Sequence, residues 1–125
     1  MPASALPKKV VLCVDDDEAG LRVRKMLFEA HGYEVLCSID GQDGLRKFAE
    51  NKIDAVVLDY FMPEMDGGMV AARMKAINPQ VAILMLSAYY WLPKTALLNV
   101  DAFLTKGDSP GIVLRKIAEL LEQHH

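Results

Sequence analysis

The chain has 125 residues, which is enough for one globular domain with a core and too few for two domains of ordinary size. Hydrophobic residues make up 52% and charged residues 25% of the sequence, a composition that argues against disorder. Because 14 Lys and Arg stand against 17 Asp and Glu, the net charge of -3 disfavours direct binding to nucleic acid or to an anionic membrane.

The first part of the chain shows two strand and helix pairs. Residues 10–14 form a continuous apolar run, which is typical of a buried strand. A helix ended by Gly32 follows, and its inward face is predicted to consist of Ala19, Val23, Met26, Leu27 and Ala30. Residues 33–37 are the second predicted strand. Asp40 is the expected N-cap of a second helix with an inward stripe of Leu45, Phe48 and Ala49.

Two further pairs follow in the middle of the chain. Residues 55–58 are the third predicted strand, and residues 60–68 form a loop. A third helix, stopped by Pro79, is expected to bury Val70, Met74 and Ile77. Residues 81–86 are the fourth predicted strand.

The pattern weakens after Ser87 and recovers near the C-terminus. Only a short helix at 93–98 is predicted, followed by a short strand at 102–104. Ser109 and Pro110 open a last helix whose inward residues are Val113, Ile117, Leu120 and Leu121.

The strand and helix pattern therefore repeats five times, which predicts an α/β fold. Continuous apolar strands that alternate with amphipathic helices favour a doubly wound parallel sheet covered on both faces. We expect one domain over residues 9–123, with residues 1–8 as an N-terminal extension. The last two residues, His124 and His125, could be a remnant of a purification tag.

Polar residues follow four of the five predicted strands. Asp15 and Asp16 end the first strand, Asp59 the third, Ser87 the fourth and Lys106 the fifth. In an open α/β sheet, ligands bind beyond the carboxyl ends of the strands, so these side chains are expected to meet at one edge. Taken singly, each residue has an ordinary structural explanation, such as a helix N-terminal carboxylate, a turn hydroxyl or a surface lysine.

Three carboxylates at one edge need a cation nearby. Two unit charges about 4 Å apart repel by roughly 4 kcal/mol at an effective dielectric near 20. Few oxygen ligands with room for a phosphate suit Mg²⁺, and a carboxylate beside Mg²⁺ can attack phosphorus, with Ser87 and Lys106 assisting. Asp54 precedes the third strand and is expected at the opposite edge with a structural role.

These residues match a known family. Residues 10–16 (VVLCVDD), residues 58–67 (LDYFMPEMDG), Ser87-Ala88 and Lys106 resemble the receiver domain of two-component response regulators over nearly the full chain. The resemblance implies a flavodoxin-like (βα)5 domain with strand order 2-1-3-4-5. It also implies a phosphorelay function, in which a histidine kinase or a phosphotransfer protein donates a phosphoryl group.

The resemblance assigns a role to each site residue. It implies that Asp59 accepts the phosphoryl group, that Asp16 and Asp59 bind Mg²⁺ directly, and that Asp15 binds it through water. The backbone carbonyl of Phe61 would be the remaining protein ligand. The switch residues that it implies are the hydroxyl of Ser87, the ammonium of Lys106 and the aromatic ring of Phe103.

The sequence departs from the family pattern in three places. Gly107 and Asp108 stand where a proline usually follows the lysine, so a looser loop is expected. The segment between Ser87 and Lys106 is a few residues shorter than usual, which predicts a short or irregular fourth helix. Phe61 and Tyr89 are bulky at positions that tune dephosphorylation in the family, which predicts slow loss of the phosphoryl group.

The aromatic run at residues 89–91 has two interpretations. Tyr89 and Trp91 could form an exposed surface for a protein partner or an output domain. Alternatively, these aromatic residues cap the core where the fourth helix is short.

Two other functions are consistent with part of the pattern. A small phosphohydrolase of the haloacid-dehalogenase type would use Asp15 as nucleophile and Asp17 as general acid, but Ala19 replaces the Thr or Val of that motif, and segment 62–67 would be unexplained. A receiver with a degenerate switch would be only an interaction module. In each case a cytoplasmic protein is expected, since the sequence has no signal-peptide core and no apolar run near the roughly 20 residues of a membrane span.

Overall fold

The computed structural model describes residues 7–124, in which five strands alternate with helices. The strands are β1 (Val10–Val14), β2 (Glu34–Ser38), β3 (Ala55–Asp59), β4 (Ala82–Ser87) and β5 (Ala102–Thr105). The helices are α1 (Glu18–Ala30), α2 (Gly41–Glu50), α3 (Gly67–Ile77) and α4 (Pro110–Gln123). A short 3-10 helix, Lys94–Leu97, occupies the connection between β4 and β5. Every predicted strand exists, with its ends shifted by at most one residue.

The five strands form one parallel sheet in the order β2-β1-β3-β4-β5. This order and the α/β class confirm the predicted flavodoxin-like fold. Along the central pair, Val11 lies opposite Ala55 and Val14 opposite Leu58. The strand order reverses between β1 and β3, so the residues that follow these two strands flank the crevice where doubly wound sheets bind ligands.

The alternation of side chains along the strands divides the core into two layers. Leu12 and Val14 of β1 point into the layer under α2, α3 and the 3-10 helix. Val11 and Cys13 point into the layer under α1 and α4. Because both faces are covered, the central strands are apolar throughout, as the sequence pattern indicates.

Three helix faces differ from the prediction. Helix α1 buries Leu21 and Phe28, whereas Ala19, Val23, Met26 and Ala30 are exposed and Leu27 is half-buried. Ala49 of α2 and Ile77 of α3 are exposed as well. In α1 the inward face carries Arg24 between its two apolar residues, so counting apolar residues favours the wrong face. In α2 the glycines Gly41 and Gly44 take inward positions, because a larger side chain would meet Val70 or Val14.

The predicted helix ends are confirmed. The Asp40 side chain accepts a hydrogen bond of 2.7 Å from the backbone N–H of Asp43. Ser109 caps α4 in the same way, with Pro110 in its first turn. Gly32 follows α1 with a φ of 88°, a conformation that favours glycine.

The connection between β4 and β5 is short, as predicted, and consists of an extended stretch before the 3-10 helix. Leu92 and Ala96 are the residues that cover the core here. Tyr89, Tyr90 and Trp91 do not: Tyr90 is 89% and Trp91 76% exposed. The interpretation of these aromatic residues as a cap on the core is therefore wrong.

Across residues 7–124, none of the helices combines the length and the apolar character that a bilayer crossing requires.

Candidate functional site

An acidic pocket lies where β1 and β3 end. Asp15, Asp16 and Asp59 each place a carboxylate oxygen within 4.8 Å of the others. Asp15 and Asp59 are buried, whereas Asp16 is exposed. The parallel pairing of β1 with β3 produces this convergence, since it brings the carboxyl ends of both strands to one edge.

Lys106 joins the two buried carboxylates. Its Nζ is 3.0 Å from Asp15 Oδ2 and 3.2 Å from Asp59 Oδ1. The backbone N–H of Lys106 donates to the carbonyl of Ser87 at 2.7 Å, which fixes the lysine to the end of β4. The loop after Lys106 is closed by Asp108, whose carboxylate accepts from the N–H and the hydroxyl of Thr105. The looser loop expected from Gly107 and Asp108 stays a prediction.

Ser87 completes the polar edge. It is fully buried, and its Oγ accepts a hydrogen bond of 3.0 Å from the backbone N–H of Tyr89. The hydroxyl proton stays available as a donor, since this bond uses only an acceptor lone pair. Of the strand-end residues predicted from the sequence, Asp15, Asp16, Asp59 and Lys106 cluster at this edge, and Ser87 is tied to the same lysine through its carbonyl.

Burial and mutual repulsion perturb the pocket's protonation. Burial, and then the charge of Asp15, raise the pKa of Asp59 to about 7, against the opposing effect of Lys106. Burial alone would also raise the pKa of Asp15, but the N–H of Asp17 together with Lys106 and Arg24 outweighs it, and the pKa of Asp15 falls below its usual value. Burial by itself would lower the pKa of Lys106, but Asp15 and Asp59 outweigh this effect and raise the pKa above its usual value. The pocket thus holds more negative charge than its own cations neutralise.

A close approach of backbone segments fixes the position of Asp59. A Cβ on Gly67 would lie 2.6 Å from the carbonyl oxygen of Asp59, and the Gly67 N–H donates to Tyr60 at 2.8 Å. Asp66 caps α3 by accepting from the N–H of Met69 at 2.9 Å. This explains physically why Asp and Gly stand together here: Asp66 starts the helix, and Gly67 lets the helix approach the end of β3.

Arg24 belongs to this site and was missed by the sequence analysis. Its Nη2 lies 2.6 Å from Asp15 Oδ2, and its side chain is only 12% exposed. The one signal in the sequence is its spacing, three residues after Leu21 and four before Phe28, on the face that α1 buries.

An aromatic groove borders the acidic pocket. It has a volume of about 570 Å³ and is lined by Tyr60, Phe61, Tyr89, Tyr90, Trp91, Leu92 and Pro93. The ring of Phe61 packs edge-on against those of Tyr60 and Tyr89, with centroid distances of 4.7 and 5.1 Å. Phe61 follows Asp59 by two residues, so the chain leads from the acidic pocket directly into this exposed groove.

Phe103 and Asp54 lie away from the acidic cluster. Phe103, on β5 opposite Met85, is half-buried and packs against the core layer of α2 and α3. Asp54 lies at the other edge of the sheet, where its Oδ2 accepts from the N–H of Val10 at 2.8 Å. The structural role predicted for Asp54 agrees with this contact.

The donor set of the pocket fits a small hard cation. Carboxylate oxygens from Asp16 and Asp59 are the ligand type that Mg²⁺ prefers, and one of them is exposed to solvent, which leaves room for waters or a phosphate. Burial, and then the negative charge of Asp15, raise the pKa of Asp59, and a divalent ion would offset that negative charge.

Comparison with known proteins agrees with the geometry. The model of the family described as response regulator receiver domain matches residues 11–117. Transcriptional regulatory protein GlrR of Escherichia coli K12 is 31% identical over 116 residues, covering 90% of this chain and 26% of that protein. The alkaline phosphatase synthesis transcriptional regulatory protein PhoP of Bacillus subtilis is 31% identical, covering 92% and 49%. The chain thus spans from about a quarter to about half the length of these relatives.

Solved structures share the fold. A CheY-like response regulator receiver domain protein from Methanospirillum hungatei is 29% identical with a TM-score of 0.89, covering 94% of this chain and 97% of that one. The response regulator TrrA from Thermotoga maritima, solved in complex with Mg²⁺ and BeF, is 26% identical with a TM-score of 0.84, covering 90% and 98%. These matches do not favour the dehalogenase-type phosphohydrolase or the degenerate module.

Proposed function

The chain belongs to the response regulator receiver domain family, and from this premise we propose that Asp59 takes a phosphoryl group from a histidine kinase or a phosphotransfer protein. One observation carries the proposal: a buried carboxylate lies 3.2 Å from the ammonium of Lys106, beside two more carboxylates, at the strand-order reversal of the sheet. The expected role is signalling, in which the chain catalyses only its own phosphorylation and slow dephosphorylation.

The chemical step is an exchange of one bond to phosphorus for another. An ionised oxygen of Asp59 attacks the phosphorus of the donor's phosphohistidine, the P–N bond breaks, and the imidazole leaves with the electron pair. Lys106 is close enough to form an ion pair with the phosphoryl oxygens once they are attached to Asp59, and the hydroxyl of Ser87 can donate a hydrogen bond to one of them. Asp59 must be ionised to attack, so the neutralisation of the pocket controls its reactivity.

Four residues would hold Mg²⁺. Asp16 and Asp59 would bind it directly, Asp15 through a water molecule, and Phe61 through its backbone carbonyl. When bound, Mg²⁺ supplies positive charge to the phosphoryl oxygens and offsets the repulsion among the carboxylates.

Phosphorylation would then change the conformation of the switch residues. The hydroxyl of Ser87 would turn toward the phosphoryl group and Lys106 would pair with it, while the half-buried Phe103 would move further into the core. Such contacts shift a two-state population only if they differ between the states. The aromatic groove, in which Tyr89 and Trp91 are exposed, would be the surface that an output domain or a protein partner binds after this conformational change. The partner would be cytoplasmic, and the chain itself would not contact nucleic acid.

The test is phosphorylation by a small donor. The full chain is treated with acetyl phosphate and Mg²⁺, and the modified residue is located by mass spectrometry. We expect a single phosphoryl group on Asp59, none in Asp59→Asn, and full labelling in the control Asp54→Asn, whose carboxyl lies at the other edge of the sheet. Labelling of Asp15 instead would support the phosphohydrolase alternative, and labelling that survives in Asp59→Asn would refute the proposal.

A second measurement tests the predicted slow loss of the phosphoryl group. The rings of Phe61 and Tyr89 pack against each other, and neither side chain carries a carboxylate or an amide that could orient an attacking water. The lifetime of the phosphorylated chain is compared with that of the double variant Phe61→Asn, Tyr89→Glu. We expect faster hydrolysis in the double variant, and equal lifetimes would disprove the shielding role.

A further inference from the structure

Arg24 is a nearly buried arginine that the phosphorylation chemistry does not use. It lies on α1 between the core residues Leu21 and Phe28. Its Nη2 is 2.6 Å from Asp15 Oδ2, and within residues 7–124 its buried Nε has no hydrogen-bond partner. Burying a guanidinium is costly unless its charge is paired, so its contact with Asp15 is the interaction that offsets its burial.

Three groups contact the carboxylate of Asp15. Its Oδ1 accepts from the N–H of Asp17 at 2.9 Å and from Lys106 Nζ at 3.2 Å. Its Oδ2 is 2.6 Å from Arg24 Nη2 and 3.0 Å from Lys106 Nζ. A carboxylate offers about four lone-pair positions, so one backbone N–H and two cationic side chains occupy most of them. Asp59, in contrast, has Lys106 as its one salt-bridge partner among the described residues.

The two cations reach Asp15 from the same side. Arg24 and Lys106 both line a small cavity of about 200 Å³ between α1 and the start of α4. When all three carboxyl groups of the acidic pocket are ionised, they carry three negative charges, of which these two cations offset two. Without Arg24, the pocket would attract a divalent ion with twice the net negative charge.

We propose that Arg24, through its ion pair with Asp15, keeps the affinity of the acidic pocket for Mg²⁺ lower than the three carboxylates and Lys106 would give by themselves. The inference rests on the proposed function, because it concerns the ion that phosphorylation requires. It also gives Asp15 a lasting cationic partner while Lys106 turns toward a phosphoryl group.

Calorimetric titration of the full chain with Mg²⁺ tests this role in three variants. Arg24→Met removes the charge and keeps most of the stem, Arg24→Lys keeps the charge, and Arg22→Met removes a charge from the exposed side of the same helix. At low ionic strength we expect Arg24→Met to bind Mg²⁺ about ten-fold more tightly, an order of magnitude set by one charge a few ångströms away, with screening. Arg24→Lys and Arg22→Met should stay within about two-fold of the wild type.

A gain in affinity separates this role from a merely structural one, since damage to the pocket would weaken Mg²⁺ binding. The thermal midpoint gives a second readout: adding Mg²⁺ to protein in EDTA should raise it more in Arg24→Met than in the wild type. If Arg24→Met does not fold in EDTA, Arg24→Gln takes its place in both measurements. Unchanged or weaker binding in the folded variant overturns the role of Arg24, whereas a wild type that binds no Mg²⁺ overturns the proposed function itself.

Discussion

Carboxylates lie at both edges of the sheet, but different groups stabilise them. At the edge where strands begin, Asp54 accepts from the N–H of Val10, and Asp101 accepts from the N–H of Ile83 at 2.7 Å and pairs with Lys75 at 2.9 Å. These two carboxylates do not face each other: backbone N–H groups and Lys75 contact them, and the ring of His124 lies 3.4 Å from Asp101 Oδ1.

At the edge where strands end, the carboxylates face one another. Asp15 and Asp59 share Lys106, and the repulsion between them helps to raise the pKa of Asp59 to about 7. The difference follows from strand polarity. Parallel strands present free N–H groups where they begin and free carbonyls where they end, so a carboxylate beyond the carboxyl ends finds few backbone donors. Backbone donors therefore help to stabilise the carboxylates at the first edge, whereas the carboxylates at the second edge need cations. A group that accepts a phosphoryl group requires these same cations.

The largest expected effect comes from moving the backbone of the second edge. In Gly67→Ala the new Cβ would lie 2.6 Å from the carbonyl of Asp59, so we expect a loss of about 3 kcal/mol in the free energy of unfolding, with reduced labelling by acetyl phosphate. Urea denaturation measures the loss. Gly111→Ala in α4, where the nearest atom is 3.8 Å away, serves as control and should gain about 0.5 kcal/mol. Equal stabilities of the two variants would show that the backbone of Asp59 can move away from residue 67 without a loss of stability.

A smaller effect should appear in the pH dependence of the free energy of unfolding, which we expect to differ between variants at the two edges. An acid whose pKa rises from 3.8 to about 7 on folding binds protons in the folded state, so without Mg²⁺ the wild type loses stability as the pH increases through this range. Asp59→Asn escapes this loss. We expect it to be more stable than the wild type by about 2 kcal/mol above pH 7, and nearly equal below pH 4.

The matched change at the first edge should behave differently. Asp54→Asn weakens a hydrogen bond to the N–H of Val10 and should cost about 1 kcal/mol in the free energy of unfolding at neutral pH. Urea denaturation at several pH values compares both variants with the wild type. A constant difference between Asp59→Asn and the wild type from pH 4 to pH 8 would contradict the charge repulsion described for the acidic pocket.

The smallest effect compares the two lysines. We expect both Lys106→Met and Lys75→Met to lose about 1 kcal/mol in EDTA, since each leaves a carboxylate without its ammonium. Mg²⁺ should restore the stability of the first variant and not of the second, because Lys106 pairs with carboxylates of the acidic pocket whereas Lys75 pairs with Asp101 at the other edge. Recovery of both variants, or of neither, would show that the two edges do not differ in this way.

Much of the fold and of the site was predictable from the sequence. The sequence places Asp15, Asp59 and Lys106 together because each stands at the end of an apolar run, Lys106 after one intervening threonine, and parallel strands carry their ends to a common edge. The inward face of α1 was predicted wrongly. Val23 and Met26 are exposed, and the buried face contains Arg24, whose burial depends on a carboxylate nine positions earlier in the chain.

The order of apolar runs and polar strand ends therefore determined the class of fold, the edge that carries the site and the identity of its charged residues, since these follow from local periodicity and strand direction. Only the tertiary structure decided the raised pKa of Asp59, the pairing of Arg24 with Asp15 and the exposure of Trp91. Each of these depends on which groups from distant parts of the chain lie within a few ångströms, and electrostatic energy and burial are set by that distance rather than by position in the sequence.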